Sequence, residues 1–367
     1  MKKMGLFVSV VLVLMPVFYA CSGSSPASGP SAGGATGSPT AAPTQGVTPA
    51  LQHLSVYPKT GGNYASEVKV IGNYAYLAEN ALSYQGLTIT VVDISSKTSP
   101  QRVGAYSMNN SQVTSISVAG NCIYAAIDNG DDSLIAIDIS APETPYRIFN
   151  DYNSNPWAVW VSGGYLYVTG DYNGDGDSIV RNFNVFSLAN PSSPARTGYF
   201  YNAASYFWEV QAAGNYAYVC SNSEGLKILD VSTPSSPSHA GTYYTDNMGH
   251  TKVSVSGSYA YCVTKYYDVD IVNVSNPSSP SLAANLIPGA TVTVSNVYAS
   301  GDYLYLACGN KGIYIYNVSN PASPVLAASY YDNTISPQHS INDVFAEGGY
   351  VYAADNNYGL RILQFNH

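Results

Sequence analysis

Residues 214–237 read GNYAYVCSNSEGLKILDVSTPSSP, and the elements that decide the fold are all present in this stretch. It opens with a glycine, continues with tyrosines alternating with small apolar residues, reaches a second apolar run at 226–231 and ends in a Pro-x-x-Pro segment. Alternation with a period of two predicts β-strands, and glycine and proline predict the turns that separate them. We therefore interpret the stretch as two short strands with a turn at either end.

The glycine and tyrosine of this stretch recur seven times along the chain. Gly-x-x-x-Tyr units, 43 to 51 residues apart, begin at Gly72, Gly120, Gly163, Gly214, Gly257, Gly301 and Gly348. A β-branched residue stands four positions before each glycine: Val68, Ile116, Val159, Val210, Val253, Val297 and Val344. With a strand before the glycine and another after the proline turn, each unit predicts four short strands. Four strands at this period are typical of a β-propeller blade.

The two ends of the repeat region complement each other. The last unit stops at residues 360–365 without a proline turn or a fourth strand, whereas residues 49–57 (PALQHLSVY) form a strand-like segment before the first unit. If that segment completes the last blade, the ring closes with strands from both termini. We predict an all-β fold for residues 49–367: a seven-bladed β-propeller with four antiparallel strands per blade. A pair of β-sandwiches or an open β-solenoid would not need complementary ends.

The third strand of the units carries a resemblance to a known family. The segments TVVD (90–93), LIAID (134–138), LKILD (226–230) and IYIYN (313–317) resemble the LVIVD repeat, together with the Asp/Asn-x-Ser-x-Pro-x-x-Pro turn that follows. The resemblance covers residues 49–367 and implies a β-propeller of bacterial and archaeal surface proteins, with no established activity. The acidic position of the repeat is occupied by Ser187 in the third unit and by Gln364 in the last.

The first 48 residues predict export and tethering. A basic start followed by an apolar run over residues 5–19 is the pattern of a signal peptide, which we assign to residues 1–20. The sequence FYAC then resembles a bacterial lipobox and makes Cys21 the expected lipid attachment site; ordinary secretion with cleavage nearby is the alternative. Residues 22–48 contain no charge and no aromatic residue, so we interpret 21–48 as a lipidated cysteine with a disordered linker. We expect a lipoprotein at a bacterial outer membrane or cell surface, bound to the membrane through its lipid alone.

Composition limits the partners. The net charge is −9 and only 10% of the residues are charged, which gives no basic footprint for nucleic acid. The sequence has no Gly-x-Ser-x-Gly elbow, no His-Glu-x-x-His motif and no CxxC pair, so no enzyme class is indicated. We expect a monomeric, non-catalytic module that binds a protein, a peptide or a glycan. An extracellular polysaccharide hydrolase or lyase and a structural envelope assembly protein are the alternatives. The cysteines beyond Cys21 all fall on second strands, where we expect small buried residues, with a disulfide as the alternative: Cys122, Cys220, Cys262 and Cys308.

The loops that vary most between units lie on one face of the predicted propeller, and they form the expected binding face. Trp157 and Trp208 enter the first strands of blades three and four at equivalent positions. Clustered aromatic residues with few polar groups suit sugar or peptide binding. Packing of the tryptophans between blades is the alternative. The candidate ligand-binding residues are Trp157, Trp208, Tyr206, Glu209, His250 and His339.

A calcium site is predicted in the loop that begins with DYNGDGD at residues 171–177. Carboxylate and amide oxygens at this spacing can surround one hard cation, and the glycines permit a sharp turn. The expected ligands are Asp171, Asn173, Asp175 and Asp177. The glutamate of a true EF-hand is replaced by Asn182, so that motif is excluded, and a solvated turn is the alternative. Calcium is the one cofactor that the sequence suggests.

Overall fold

A computed structural model of the chain describes residues 51–59, 61–81, 86–109, 111–128, 134–152, 154–172, 180–201, 206–221, 223–244, 249–331 and 340–366. Within these ranges the chain forms 28 strands in seven four-stranded antiparallel sheets, which are the seven blades of a β-propeller. The predicted fold is therefore confirmed. The signal peptide, Cys21 and the linker lie outside the described residues. In the described part of the chain there is no helix with the length and apolar character needed to cross a membrane.

Each of the first six blades is formed by four consecutive strands, numbered from the channel outward. Blade one contains β2 (Asn63–Ile71), β3 (Tyr74–Ala81), β4 (Gly86–Asp93) and β5 (Gln101–Asn109); blade two contains β6 (Gln112–Ala119), β7 (Cys122–Asp128), β8 (Leu134–Asp138) and β9 (Tyr146–Asp151). Blade three contains β10 (Ser154–Ser162), β11 (Tyr165–Tyr172), β12 (Val180–Ser187) and β13 (Ala195–Tyr201); blade four contains β14 (Phe207–Ala213), β15 (Tyr216–Ser221), β16 (Gly225–Asp230) and β17 (Ser238–Tyr243). Blade five contains β18 (His250–Ser256), β19 (Tyr259–Thr264), β20 (Val269–Asn273) and β21 (Ser281–Leu286); blade six contains β22 (Asn296–Ser300), β23 (Tyr303–Ala307), β24 (Ile313–Asn317) and β25 (Val325–Tyr330).

The seventh blade combines strands from the two ends of the described chain. It contains β26 (Ile341–Glu347), β27 (Tyr350–Asp355), β28 (Gly359–Phe365) and, on the outside, β1 (Leu51–Pro58). β1 pairs antiparallel with β28, from Leu51 opposite Phe365 to Pro58 opposite Gly359. The first strands contact one another around the ring, with β26 against β2. These seven strands line the central channel, and we call them the inner strands.

The hydrophobic core lies between successive blades. Tyr261 and Val263 of blade five, for example, pack with Leu304 and Leu306 of blade six in one buried cluster. A single blade cannot bury both faces of its sheet, so each blade depends on its neighbours for stability. The glycine that opens each repeat has φ between 56° and 61° in the turn between the first two strands. This left-handed conformation explains why glycine recurs there.

The acidic or amide residue that ends the third strand caps the turn that follows. Its side-chain oxygen accepts the backbone N–H of the serine two positions later, at 2.7 to 3.0 Å; the capping residues are Asp93, Asp138, Asp230, Asn273 and Asn317. Hydrogen bonds from these serines lower the pKa of the three aspartates. At Ser187 the hydroxyl oxygen accepts the N–H of Ala189 instead, at 3.3 Å, so the turn survives the departure from the repeat.

The four cysteines within the propeller are buried free thiols, in agreement with their expected role as small core residues: Cys122, Cys220, Cys262 and Cys308. Burial raises the pKa of Cys308 to about 12, which keeps that thiol protonated and unreactive at neutral pH.

Candidate functional site

β-Bulges occur near the start of the inner strands. In six of the seven, the pairing with the second strand skips one residue, and the skipped residues are Ser66, Thr114, Trp157, Trp208, Thr251 and Asn342. A bulge takes its extra residue out of the strict alternation of the strand and re-aims its side chain. The bulge positions therefore form a ring around the mouth of the channel, on the face where the inner strands begin.

The bulge residues are of three chemical kinds: hydroxyl residues, two tryptophans and Asn342, whose amide donates to Ala65 O at 2.8 Å. The hydroxyls of Ser66, Thr114 and Thr251 each donate to a backbone carbonyl of the second strand in the same blade, at 3.2 to 3.4 Å. The indole N–H of Trp208, by contrast, has no hydrogen-bond partner among the described residues. The presence of Trp157 and Trp208 in adjacent blades is therefore a local departure from the pattern of the ring.

The two tryptophans contact each other across the boundary between blades three and four. Their ring centroids are 4.1 Å apart and their planes are inclined by 75°, and Tyr206 stacks on Trp157 at 5.9 Å. Gly170, on the strand paired with β10, has φ +137°, and a Cβ added there would lie 3.0 Å from Cδ1 of Trp157. The indole of Trp157 therefore occupies space that only a glycine at position 170 leaves free.

A cavity of about 460 Å³ opens beside the tryptophans. Its lining residues come from blades two to five: Thr114, Asp128, Asn155, Pro156, Trp157, Trp208, Thr251 and Lys252. We call this cavity the mouth cavity. Its volume lies in the range of small-molecule binding sites, and its wall is mainly apolar with a few polar groups, as such sites usually are.

The channel directly below the mouth is filled by charged side chains. Lys69 Nζ lies 2.7 Å from Glu67 Oε1 and 3.3 Å from Asp343 Oδ2. Lys252 Nζ lies 2.6 Å from Glu209 Oε2. We call these five residues the channel ion network. The space left among the inner strands is a cavity of about 40 Å³, which has room for water but not for a sugar ring or a peptide.

The charges of the channel ion network shift one another's proton affinity. Burial raises the pKa of Glu67, and Asp343 adds to this effect while Lys69 opposes it. Burial alone would lower the pKa of Lys69, but the neighbouring carboxylates Asp343 and Glu67 outweigh burial and raise it. The pKa of Lys252 is raised in the same way, chiefly by Glu209. Both lysines are therefore charged at neutral pH, and Glu67 holds its proton more tightly than a free glutamate.

The same side chains satisfy backbone amides at the inner edge of the sheets. Asp343 Oδ2 accepts the N–H of Val68 at 2.9 Å, and Glu67 Oε2 accepts the N–H of Ile116 at 2.6 Å. Both bonds cross from one blade to the next. An inner edge would otherwise expose unpaired N–H groups, which are costly when buried. The channel ion network therefore joins blades as well as filling the channel.

The structure brings together four of the predicted ligand-binding residues. Trp157, Trp208 and Tyr206 form the aromatic cluster at the mouth, and Glu209 lies just below it in the channel ion network. His250 differs, because its side chain is 0% exposed and its Nε2 is 3.0 Å from Asp270 Oδ2 inside blade five. Burial removes His250 from the ligand surface.

His339 and part of the predicted calcium loop lie outside the described residues. Asp171 belongs to β11, but its side chain is not described, and Asn173, Asp175 and Asp177 fall in the undescribed loop that follows. In the described part of the chain, no three His, Cys, Asp or Glu residues are grouped so as to hold a metal ion. Calcium binding therefore stays a prediction.

Sequence reasoning did not identify several residues of the mouth: Thr114, Asp128, Asn155, Thr251 and Lys252. A signal for part of this set was present, because Thr114 and Thr251 stand six residues before a repeat glycine, as Trp157 and Trp208 do. The channel ion network has a similar signal, since Glu67, Glu209, Lys252 and Asp343 all stand five residues before a repeat glycine. The bulge that separates these two sets of positions cannot be predicted from the sequence.

Comparisons with known proteins agree with the repeat architecture. A family model described as the LVIVD repeat matches residues 62–108, 111–150, 155–175, 205–245, 249–286, 293–332 and 340–363, one segment for each blade. No curated protein matches the chain. Among solved structures, the chain is similar to the crystal structure of the computationally designed Ika8 protein, with a TM-score of 0.58 and 10% sequence identity over 85% of this chain and 99% of Ika8. At this identity the likeness supports the fold alone.

Proposed function

The chain belongs to the LVIVD repeat family, and from that premise we propose that it is a membrane-tethered, extracytoplasmic binding module whose ligand occupies the mouth cavity. A propeller of such repeats is a binding scaffold, because the blades hold variable residues in a fixed ring. The observation that carries the proposal is the pair of tryptophans at the bulge positions of two adjacent blades, beside a cavity of about 460 Å³. Partly exposed tryptophans at a concave surface are common anchors of binding energy.

The tether is supported by the sequence of the N-terminal region. A lipid on Cys21, followed by the uncharged linker, would hold the propeller beside a bacterial outer membrane or cell surface without a membrane-spanning helix. Replacement of Cys21 by serine should then release the protein from the membrane fraction into the soluble fraction. Retention of the Cys21→Ser variant in the membrane fraction would contradict lipid anchoring.

Ligand binding at the mouth can be tested with the full chain in detergent. The protein is applied to glycan and peptide arrays and to an envelope extract, and the wild type is compared with the double variant Trp157→Ala/Trp208→Ala. The matched control is Trp160→Phe, because Trp160 lies on the same strand but donates its indole N–H to Ala212 O at 3.1 Å. We expect the double variant to lose binding and the control to keep it. Equal binding by the double variant would exclude the mouth cavity as the site.

A second candidate function, a polysaccharide hydrolase or lyase, is favoured by one observation. Glu67, Glu209 and Asp343 converge in the channel, and paired carboxylates perform general acid–base chemistry in such enzymes. The three carboxylates are, however, engaged by lysines or backbone amides in a space too small for a sugar ring. We therefore propose a non-catalytic role. Release of reducing ends from a polysaccharide by the wild type, but not by Glu209→Gln, would establish the enzyme instead.

A further inference from the structure

The mouth cavity offers hydrogen-bond acceptors and also a donor, because the indole N–H of Trp208 has no partner among the described residues. The hydroxyls of Thr114 and Thr251 donate to the carbonyls of Ala126 and Val263, so the lone pairs of their oxygens remain available to a ligand. The carboxylate of Asp128 is an acceptor as well. A cavity with acceptors and an unpaired donor complements a ligand whose groups both donate and accept, such as a polyhydroxylated molecule.

The described lining of the mouth cavity carries one charged group of each sign. Lys252 is the one cation in the described lining and Asp128 the one carboxylate. The ammonium of Lys252 is already held by Glu209, 2.6 Å away in the channel. An anionic ligand would therefore find no free cation in the described part of this wall, and a ligand without negative charge is favoured.

The geometry of the tryptophans argues against a flat aromatic ligand. A planar base is held best between two parallel rings, whereas Trp157 and Trp208 are inclined by 75°. A corner of this kind offers an apolar surface to a puckered ring with C–H groups on one face and hydroxyls at its edge.

The backbone of the inner strands argues against an extended peptide. Peptides that add to a sheet need free N–H groups along a strand edge. At the inner edge, the N–H groups of Val159 and Val210 are taken by the side chains of Ser115 and Glu209, each at 3.3 Å, and those of Val68 and Ile116 by carboxylates. The wall below the mouth therefore offers side chains rather than a strand edge.

From these observations we infer that the mouth cavity binds a neutral saccharide unit, with its apolar face on Trp157 or Trp208 and its hydroxyls donating to Thr114, Thr251 and Asp128. The inference rests on the binding function proposed above and specifies the ligand class. It assigns to the two threonines and to Asp128 a direct part in recognition.

The experiment uses tryptophan emission as a report from the site. The chain has three tryptophans, so the full-length Trp160→Phe variant emits only from Trp157 and Trp208. It is titrated in detergent with neutral oligosaccharides of glucose, galactose, mannose and N-acetylglucosamine, with uronic acid oligosaccharides of the same length, and with an uncharged peptide library. We expect saturable emission changes with at least one neutral oligosaccharide and weaker or no changes with the charged ones.

Two further substitutions test the contacts in the same background. Trp208→Ala should weaken binding of the neutral oligosaccharide at least about tenfold, as expected for an anchor residue. Thr251→Val, which keeps the shape but removes the acceptor, should weaken binding about fivefold. Ser66→Ala is the matched control, because Ser66 occupies the same bulge position in blade one but does not line the cavity, and it should leave binding unchanged.

The outcomes separate the inference from the function on which it rests. Saturable peptide binding at the tryptophans without saccharide binding would overturn the saccharide class and leave a binding module. Uronic acid oligosaccharides that bind as tightly as neutral ones would overturn the neutral class. Absence of any emission change, together with absence of binding on the arrays, would overturn both the saccharide class and the binding function at this site.

Discussion

The mouth of the central channel and the channel directly below it are formed by neighbouring residues of the same inner strands, but their chemistry is opposite. The mouth, six residues before each repeat glycine, carries tryptophans and hydroxyls around a cavity of about 460 Å³. One residue later, the channel carries charged side chains around a cavity of about 40 Å³. A shift of one residue along a strand moves a side chain from one environment to another, and here the bulge sharpens that change.

From this difference we expect the channel ion network to contribute to stability and the residues of the mouth cavity to contribute to ligand recognition. Side chains of the channel ion network bond to backbone amides of neighbouring blades, so their loss should weaken the propeller. The side chains of Thr114, Trp157, Trp208 and Thr251 line the mouth cavity, so most changes there should affect a ligand and leave the fold intact. Substitutions can therefore separate the two regions.

The largest effect on stability is expected from Asp343→Ala. Asp343 is 2% exposed and accepts hydrogen bonds from Val68 N, Lys69 Nζ and Asn296 Nδ2. Its removal leaves the Val68 amide without its acceptor and leaves Lys69 with Glu67 as its remaining carboxylate. Removing one member of a buried ion pair costs about 3–5 kcal/mol. Urea unfolding should show this loss, and Glu347→Ala, an exposed position on the same strand, should show almost none. Equal stability of the two variants would contradict the structural role of the channel ion network.

Removal of calcium should have the next largest effect on stability. The predicted ligands begin at Asp171, next to the glycine that accommodates Trp157. If calcium is present at about a hundred times its dissociation constant, its loss costs about 2.7 kcal/mol. Thermal melts in EDTA should therefore fall below melts in calcium, and Asp175→Asn should reduce the gap. Superimposed melts of the wild type would show that the loop is a solvated turn.

Gly170→Ala should weaken recognition and also destabilise blade three. An added Cβ would meet Asn155 O at 2.3 Å and Trp157 Cδ1 at 3.0 Å, so the bulge and its indole must shift while the aromatic side chain is retained. We expect ligand affinity to fall about tenfold. Blade three should also lose stability, because the added Cβ meets backbone atoms of the paired strand and because φ +137° is strained for any residue with a side chain. The measurement is a titration of the variant beside Trp157→Ala, and an unchanged affinity would show that the placement of this indole is unimportant.

Glu67→Gln should have the smallest effect, visible as a change in pH dependence. Because burial raises the pKa of Glu67 in the folded protein, the folded state binds this proton more tightly than the unfolded chain. The resulting stability is present below the unfolded pKa of about 4.5 and is lost as the pH rises through the folded value. The fall in the free energy of unfolding above that pH should be shallower in Glu67→Gln. An identical slope in both proteins would contradict the raised pKa.

Part of the site could be predicted because the repeat makes positions equivalent. The two tryptophans share one offset from the repeat glycine, and they do meet, since equivalent positions in adjacent blades are neighbours around the ring. His250 shows where this reasoning fails. It stands seven residues before its glycine, a position occupied in other blades by buried residues such as Phe207 and Ile341. His250 does begin the inner strand of blade five, but alternation along the strand turns its side chain into the blade.

The sequence by itself determined the number of blades, the strands within them and the residues of their turns, because these depend on local periodicity and on glycine and proline conformation. Only the tertiary structure decided which side chains share the mouth and which share the channel. Thr114, Trp157, Trp208 and Lys252 belong to four different blades, and the closed ring alone brings them around one cavity. The bulges then separate a recognition surface from an ion network by a single residue, a distinction that depends on strand pairing and not on composition.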